Sequence, residues 1–150
     1  MSLLERATQT AGMRLIERLG IMRRISQRND CIERILFSPA AEEAAYKIRG
    51  WMDAAGMKTD YDPLTNVYGQ MVFSKLGSQG PRIHIGSHYD TVVDAGAYDG
   101  ILGVLLGIAV VEAIVESKQT INHNLSVVAF CDEEGCLLYT SDAADEKRWG

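Results

Sequence analysis

Apolar residues along this chain recur at two different spacings, and each change of spacing marks the boundary of an element. Over residues 3–28 the spacing is helical, with Leu15, Ile16, Leu19, Met22 and Ile25 forming one apolar stripe that Gly20 weakens in its middle. Ser38 followed by Pro39 predicts a helix N-terminus, and Glu42 and Glu43 suit the positive end of its dipole. That second helix runs to Ala55, buries Ala44, Ile48, Trp51 and Ala55, and stops at Gly56. Residues 57–61 and 67–74 read as strands flanking the turn-rich Asp62-Pro63-Leu64-Thr65-Asn66. A further turn spans residues 77–81 and leads into a short strand over 82–86. Residues 100–117 are a strongly apolar helix, and 125–131 are a nearly continuous apolar strand of the kind covered on both faces. Strand, helix and strand of these lengths predict a right-handed crossover and a parallel pair. The fold class expected is α/β, a mixed sheet with flanking helices, without internal repeats or a low-complexity linker.

Composition narrows the function classes. At 150 residues the chain is one domain at most, and 47% apolar content argues against disorder. A net charge of −5 with both signs dispersed points to neither nucleic acid nor an anionic membrane as partner. The longest apolar run, from Ile101 to Val111, is too short to span a bilayer, and no export signal opens the chain. Cys31, Cys131 and Cys136 have neither metal-ligand spacing nor a disulfide framework, which fits a reducing cytoplasm; Cys131 reads as a buried strand residue.

The chemistry concentrates in three clusters: Gly86-Ser87-His88-Tyr89-Asp90, Tyr98-Asp99-Gly100, and Asp132-Glu133-Glu134-Gly135. Ligand sites in open α/β sheets form beyond the carboxyl ends of the strands, and all three clusters fall at that rim. One histidine and several carboxylates held so close call for cations. His88, Asp99 and Glu134 are therefore the candidate metal ligands, with Asp99 able to bridge two cations. Asp90 is placed to orient His88 or its neighbour. Glu133 is left free to face a bridging water and to act as general base. Mixed imidazole and carboxylate ligands accept Zn2+, Mn2+ or Co2+ alike. Taken singly, Asp99 before Gly100 could be an N-cap, Glu133-Glu134 a solvated turn, and His88 a hydrogen-bonded loop histidine; it is their conjunction that points to metal. His84, between Ile83 and Ile85, reads as structural, and His123 as exposed loop.

The run from Gly86 to Gly100, continued by Leu102-Gly103 and residues 127–135, resembles the metal-dependent amidohydrolases related to carboxypeptidase G-type peptidases. Within them it is similar to the branch of allantoate amidohydrolases, N-carbamoyl-L-amino-acid hydrolases and ureidoglycolate amidohydrolases. Residues 33–39, 48–52 and 66–69 extend the similarity, which covers roughly residues 12–135; residues 31–39 and the run from Asp90 to Gly96 look most like allantoate amidohydrolases. The resemblance implies two divalent cations per complete subunit, a homodimer, and a smaller dimerisation or lid domain. It implies that His88 and Asp99 serve one metal, Asp99 and Glu134 the other, with Asp90 orienting and Glu133 as base. It also implies a small ureido or carbamoyl substrate, allantoate first, releasing ammonia. The alternatives are an N-carbamoyl-L-amino-acid or ureidoglycolate hydrolase, an aminoacylase or dipeptidase, or a non-enzymatic α/β domain with a solvated acidic rim. The eleven-residue step from His88 to Asp99 favours the ureido branch over the peptidases.

Residues 136–150 resemble the in-frame translation of a sequencing adapter. The expectation is that they are a non-native tail with few native-like contacts, and that residues 1–135 are the N-terminal part of a longer catalytic domain. The further histidine ligands, the substrate-binding arginine and the lid that the resemblance implies would then lie beyond Gly135, and a chain this short would bind metal weakly and turn over little.

Overall fold

The structure, a computed structural model, describes residues 1–135, so the adapter-like tail lies outside the described residues. Helix α1 (Leu3–Met22) opens with a reciprocal cap in which Ser2 Oγ accepts the Glu5 N–H and the Glu5 carboxylate accepts the Ser2 N–H. It ends six residues before the predicted helix over residues 3–28 does, and the reason is local. Arg34 Nη1 donates to the carbonyls of Met22 and Ile25, both at 3.1 Å, while Ser26 Oγ bonds Cys31 O and Glu33 N in a competing turn. The buried face of α1 is Ala7, Ala11, Leu15, Arg18 and Met22, so Ile16 points to solvent, 69% exposed. Arg18 holds a place on this face because its guanidinium grips the buried Glu112 carboxylate through two bonds, at 2.7 and 3.1 Å, and lies over the Trp51 ring.

Helix α2 (Pro39–Ala54) starts where Ser38 Oγ accepts the Ala41 N–H, with Pro39 in the first turn as expected. The chain then forms β1 (Lys58–Tyr61), β2 (Val67–Met71), β3 (Arg82–His88), α3 (Ile101–Ser117) and β4 (Asn124–Phe130). The four strands make one sheet in the order β1-β2-β4-β3. β1 with β2 and β2 with β4 are antiparallel, whereas β3 and β4 are parallel, with Ile85 opposite Val127 and His88 opposite Phe130. The sheet is mixed, and its parallel pair is the one that the apolar helix between them predicts.

The three helices share a single core with Leu125, Val127 and Ala129, alternate residues of β4, with Cys131 just after it, and with Val67. Ser126 and Val128, on the other face of β4, are buried as well. β3 is an edge strand with Ile83 and His84 exposed, so His84 is a solvent-facing residue of that edge; His123 is exposed, as expected. Leu102, Leu106 and Val110 of α3 also face outward. No helix among the described residues is long and apolar enough to cross a membrane.

Candidate metal centre

β3 runs two residues further than its apolar pattern predicts, so His88 is the last strand residue and not part of the loop after it. The Tyr89 N–H donates to Phe130 O at 3.0 Å, which ties the chain after β3 to the end of β4. His88 Nδ1 lies 3.1 Å from the Asp90 carbonyl and 3.5 Å from Asp90 Oδ1. With Nδ1–H given to that carbonyl, Nε2 is turned to the rim, where Asp99 Oδ1 stands at 3.8 Å and Glu133 Oε2 at 3.7 Å. Asp90 is almost wholly buried, and its Oδ2 accepts the Glu134 N–H at 3.1 Å. The predicted orienting residue thus touches the histidine at one end and the acidic turn at the other.

That turn follows β4. Cys131 is buried in the core; Asp132 adopts φ 71°, a left-handed conformation that bends the chain back over the rim. Asp99 sits two residues before α3, half-exposed. The helix N-cap is Gly100 and it makes no side-chain capping bond, so the capping role open to Asp99 is not one it fills. Gly100 has φ 63°, and a Cβ there would collide with the His88 ring. Ser87 Oγ donates to the Gly100 carbonyl at 2.7 Å, closing the start of α3 onto β3.

Charge is expensive here. The Asp90 carboxylate, acting against burial, pushes His88 up to about 9, and Glu133 adds to the effect. Burial lifts Glu134 above its ordinary range; the His88 charge opposes this, while Asp99, Glu133 and Asp90 reinforce it. The excess of carboxylates around one imidazole thus favours positive charge at this rim, which a cation would supply.

Donor chemistry fits such an ion. One atom each from His88, Glu133 and Glu134 lie within 4.8 Å of one another. Two ligands of a tetrahedral zinc at about 2.1 Å each are about 3.4 Å apart, so a cation would draw these groups together by up to about 1.4 Å. Asp90 Oδ1 is a buried carboxylate oxygen without a hydrogen bond of good geometry, held behind the imidazole that would face the ion. All five sequence-predicted residues are therefore at one rim. The trio with the closest donor atoms nevertheless includes Glu133 where the sequence pattern favours Asp99.

Sequence patterning missed the scaffold behind the rim. Arg34, 1% exposed, donates from Nε to Tyr89 O at 2.8 Å, and its N–H donates to Thr91 Oγ1 at 2.8 Å. Burial pushes Arg34 down to about 10, opposed by the nearby Asp90 charge. Its one signal in the sequence, an arginine among apolar neighbours in Glu33-Arg34-Ile35-Leu36, carries no periodicity.

Comparison with known proteins identifies the family. A profile of peptidase family M28 matches residues 66–149. Allantoate deiminase 1 of Glycine max is 38% identical over 128 residues, which cover 84% of this chain and 26% of that protein. The N-carbamoyl-L-amino-acid amidohydrolase of a Pseudomonas strain is 37% identical over 122 residues, covering 80% of this chain and 28% of its own. The chain thus spans about a quarter of the length of these curated relatives. Among solved structures, an amidase of the hydantoinase/carbamoylase family from Burkholderia vietnamiensis superposes with a TM-score of 0.76 at 28% identity, covering 83% of this chain and 30% of that one.

Proposed function

Because this chain belongs to peptidase family M28, we propose that it carries the metal-binding rim of an amidohydrolase for linear amide and ureido C–N bonds, with allantoate as the first substrate. The observation that carries the proposal is His88 Nε2, turned outward by Asp90 and faced by Asp99 and Glu133 within 4 Å. His88, Asp99 and Glu134 would hold two divalent cations, Zn2+, Mn2+ or Co2+, with Asp99 shared between them. When bound, such ions lower the pKa of a water and polarise a carbonyl oxygen.

The protein's own groups do the rest. Asp90 holds the His88 ring from Nδ1 and the acidic turn from the Glu134 N–H. Glu133 is the most exposed of the acidic groups that face His88, with 58% of its side chain accessible, so it can reach a water without leaving the rim. It takes a proton from that water as the oxygen adds to the substrate carbonyl carbon. It then returns the proton to the nitrogen as the C–N bond breaks, and the leaving group departs as a neutral amine or ammonia. A homodimer and a cytoplasmic setting complete the proposal.

The similarity to a carbamoyl-amino-acid hydrolase, nearly equal to that with the allantoate deiminases, supports N-carbamoyl-L-amino acids as the second substrate class. The test is hydrolysis by the complete reading frame, dialysed and reloaded with Zn2+ or Mn2+, read as ammonia release from allantoate and N-carbamoyl-L-amino acids and as amino-acid release from dipeptides. Metal-dependent release that is fastest from allantoate is the expected result. Turnover of dipeptides alone would overturn the proposal.

A further inference from the structure

The loop between β1 and β2, far from the acidic clusters in sequence, reaches both strand ends that carry them. Asn66 Oδ1 accepts the Cys131 N–H at 2.7 Å. The β2–β4 ladder runs only to Val67 opposite Ala129, so the Asn66 side chain extends it by one bond at the point where the Asp132-Glu133-Glu134 turn begins. One residue earlier, Thr65 meets the other strand end: the Tyr89 hydroxyl donates to Thr65 O at 2.9 Å and lies 3.0 Å from Thr65 Oγ1. Tyr89 is fully buried and sits between His88 and Asp90.

The loop is itself made rigid by Asp62. Its Oδ1 accepts the N–H groups of Leu64 and Asn66, and its Oδ2 accepts from Asn66 Nδ2 at 2.7 Å and from the Tyr68 hydroxyl at 2.9 Å. This orients the Asn66 amide. Nδ2 goes to the carboxylate, which leaves Oδ1 as the acceptor for Cys131.

We propose that the 62–66 loop is a clasp that sets the distance between His88 and the Glu133-Glu134 turn, with Asn66 its positioning residue. The clasp rests on the metal-rim function proposed above, since it acts by holding ligand groups in place. Such supporting partners matter to metal affinity by roughly ten- to a hundredfold. A structural bond at a strand end would affect stability instead. Asn124 provides the comparison: it is buried at the opposite end of the same strand, where its Oδ1 accepts the Phe73 and Ser74 N–H groups and its Nδ2 donates to Gly77 O.

The experiment is calorimetric Zn2+ titration of the 150-residue chain, with Asn66→Ala and Asn124→Ala compared where both are folded. Asn66→Ala is expected to lower zinc affinity by about tenfold or more, and Asn124→Ala to leave it within about twofold. Equal losses in the two variants would overturn the clasp. Should Asn66→Ala fail to fold, Tyr89→Phe removes the other attachment while keeping the ring; an affinity loss of about fivefold supports the proposal, and an unchanged affinity overturns it. If the parent chain binds no zinc, hydrolysis by the complete reading frame judges the metal-rim function, and amide exchange judges the clasp. Faster exchange at both the Cys131 and Glu134 N–H in Asn66→Ala supports it, and unchanged exchange at Glu134 overturns it.

Discussion

At Gly100 one hydrogen in place of a methyl group decides whether His88 keeps its position. The backbone is left-handed there, and a Cβ would run into the imidazole. Gly100→Ala should cost about 2 kcal/mol through the strained φ and the displaced ring together. It should also weaken zinc binding more than its stability loss accounts for, which urea melts and a metal titration on the same sample would separate. His88, Asp90, Asp99, Glu133 and Glu134 could be picked from the sequence because their chemistry is unusual in combination. The role of Arg34 could not, since a buried arginine bonded to carbonyls leaves no pattern in the chain; Gly100 stood beside Asp99 in its cluster, but the ring it faces was not readable there.

Elements were predicted well where periodicity alone sets them and less well where a side chain intervenes. β4, α2 and α3 follow their apolar spacing, because burial in the shared core is what forms them. α1 does not, because Arg34 takes the carbonyls on which its last turn would have built. Nor does its buried face match the apolar stripe, because Arg18 occupies it to reach Glu112 on α3. Glu112→Ala would leave the Arg18 charge buried opposite an empty site, and a loss of about 3–5 kcal/mol is expected in denaturant unfolding. The β1–β2 loop adds a pH dependence. Burial alone would raise the Asp62 carboxyl, but the bonds from Asn66, Tyr68 and Leu64 outweigh it and hold the group below its usual 3.8. A carboxyl lowered in the folded state stabilises at all pH values above its unfolded pKa and loses that contribution as pH falls through the folded one. Acid melts of the parent protein should therefore show a stability loss below about pH 4 that is smaller in Asp62→Asn.

On the scale of the whole molecule, the parallel β3–β4 pair and the start of α3 bring three sequence-distant clusters to one rim, and the core beneath fixes their approach. That convergence was readable from topology; which acidic groups stand closest was not, because it depends on a left-handed turn at Asp132 and on the approach of α3 to His88. Two arrangements of the same five residues follow. In one, His88, Asp99 and Glu134 bind cations and Glu133 moves protons; in the other, His88, Glu133 and Glu134 form the nest and Asp99 stands aside. Zn2+ titration of His88→Ala, Asp99→Asn, Glu133→Gln and Glu134→Gln in this chain decides between them. The first arrangement predicts that Glu133→Gln keeps zinc affinity within about threefold while each of the other three variants loses about tenfold or more. A Glu133→Gln loss as large as that of Glu134→Gln, beside an Asp99→Asn variant that binds like the parent, would contradict it.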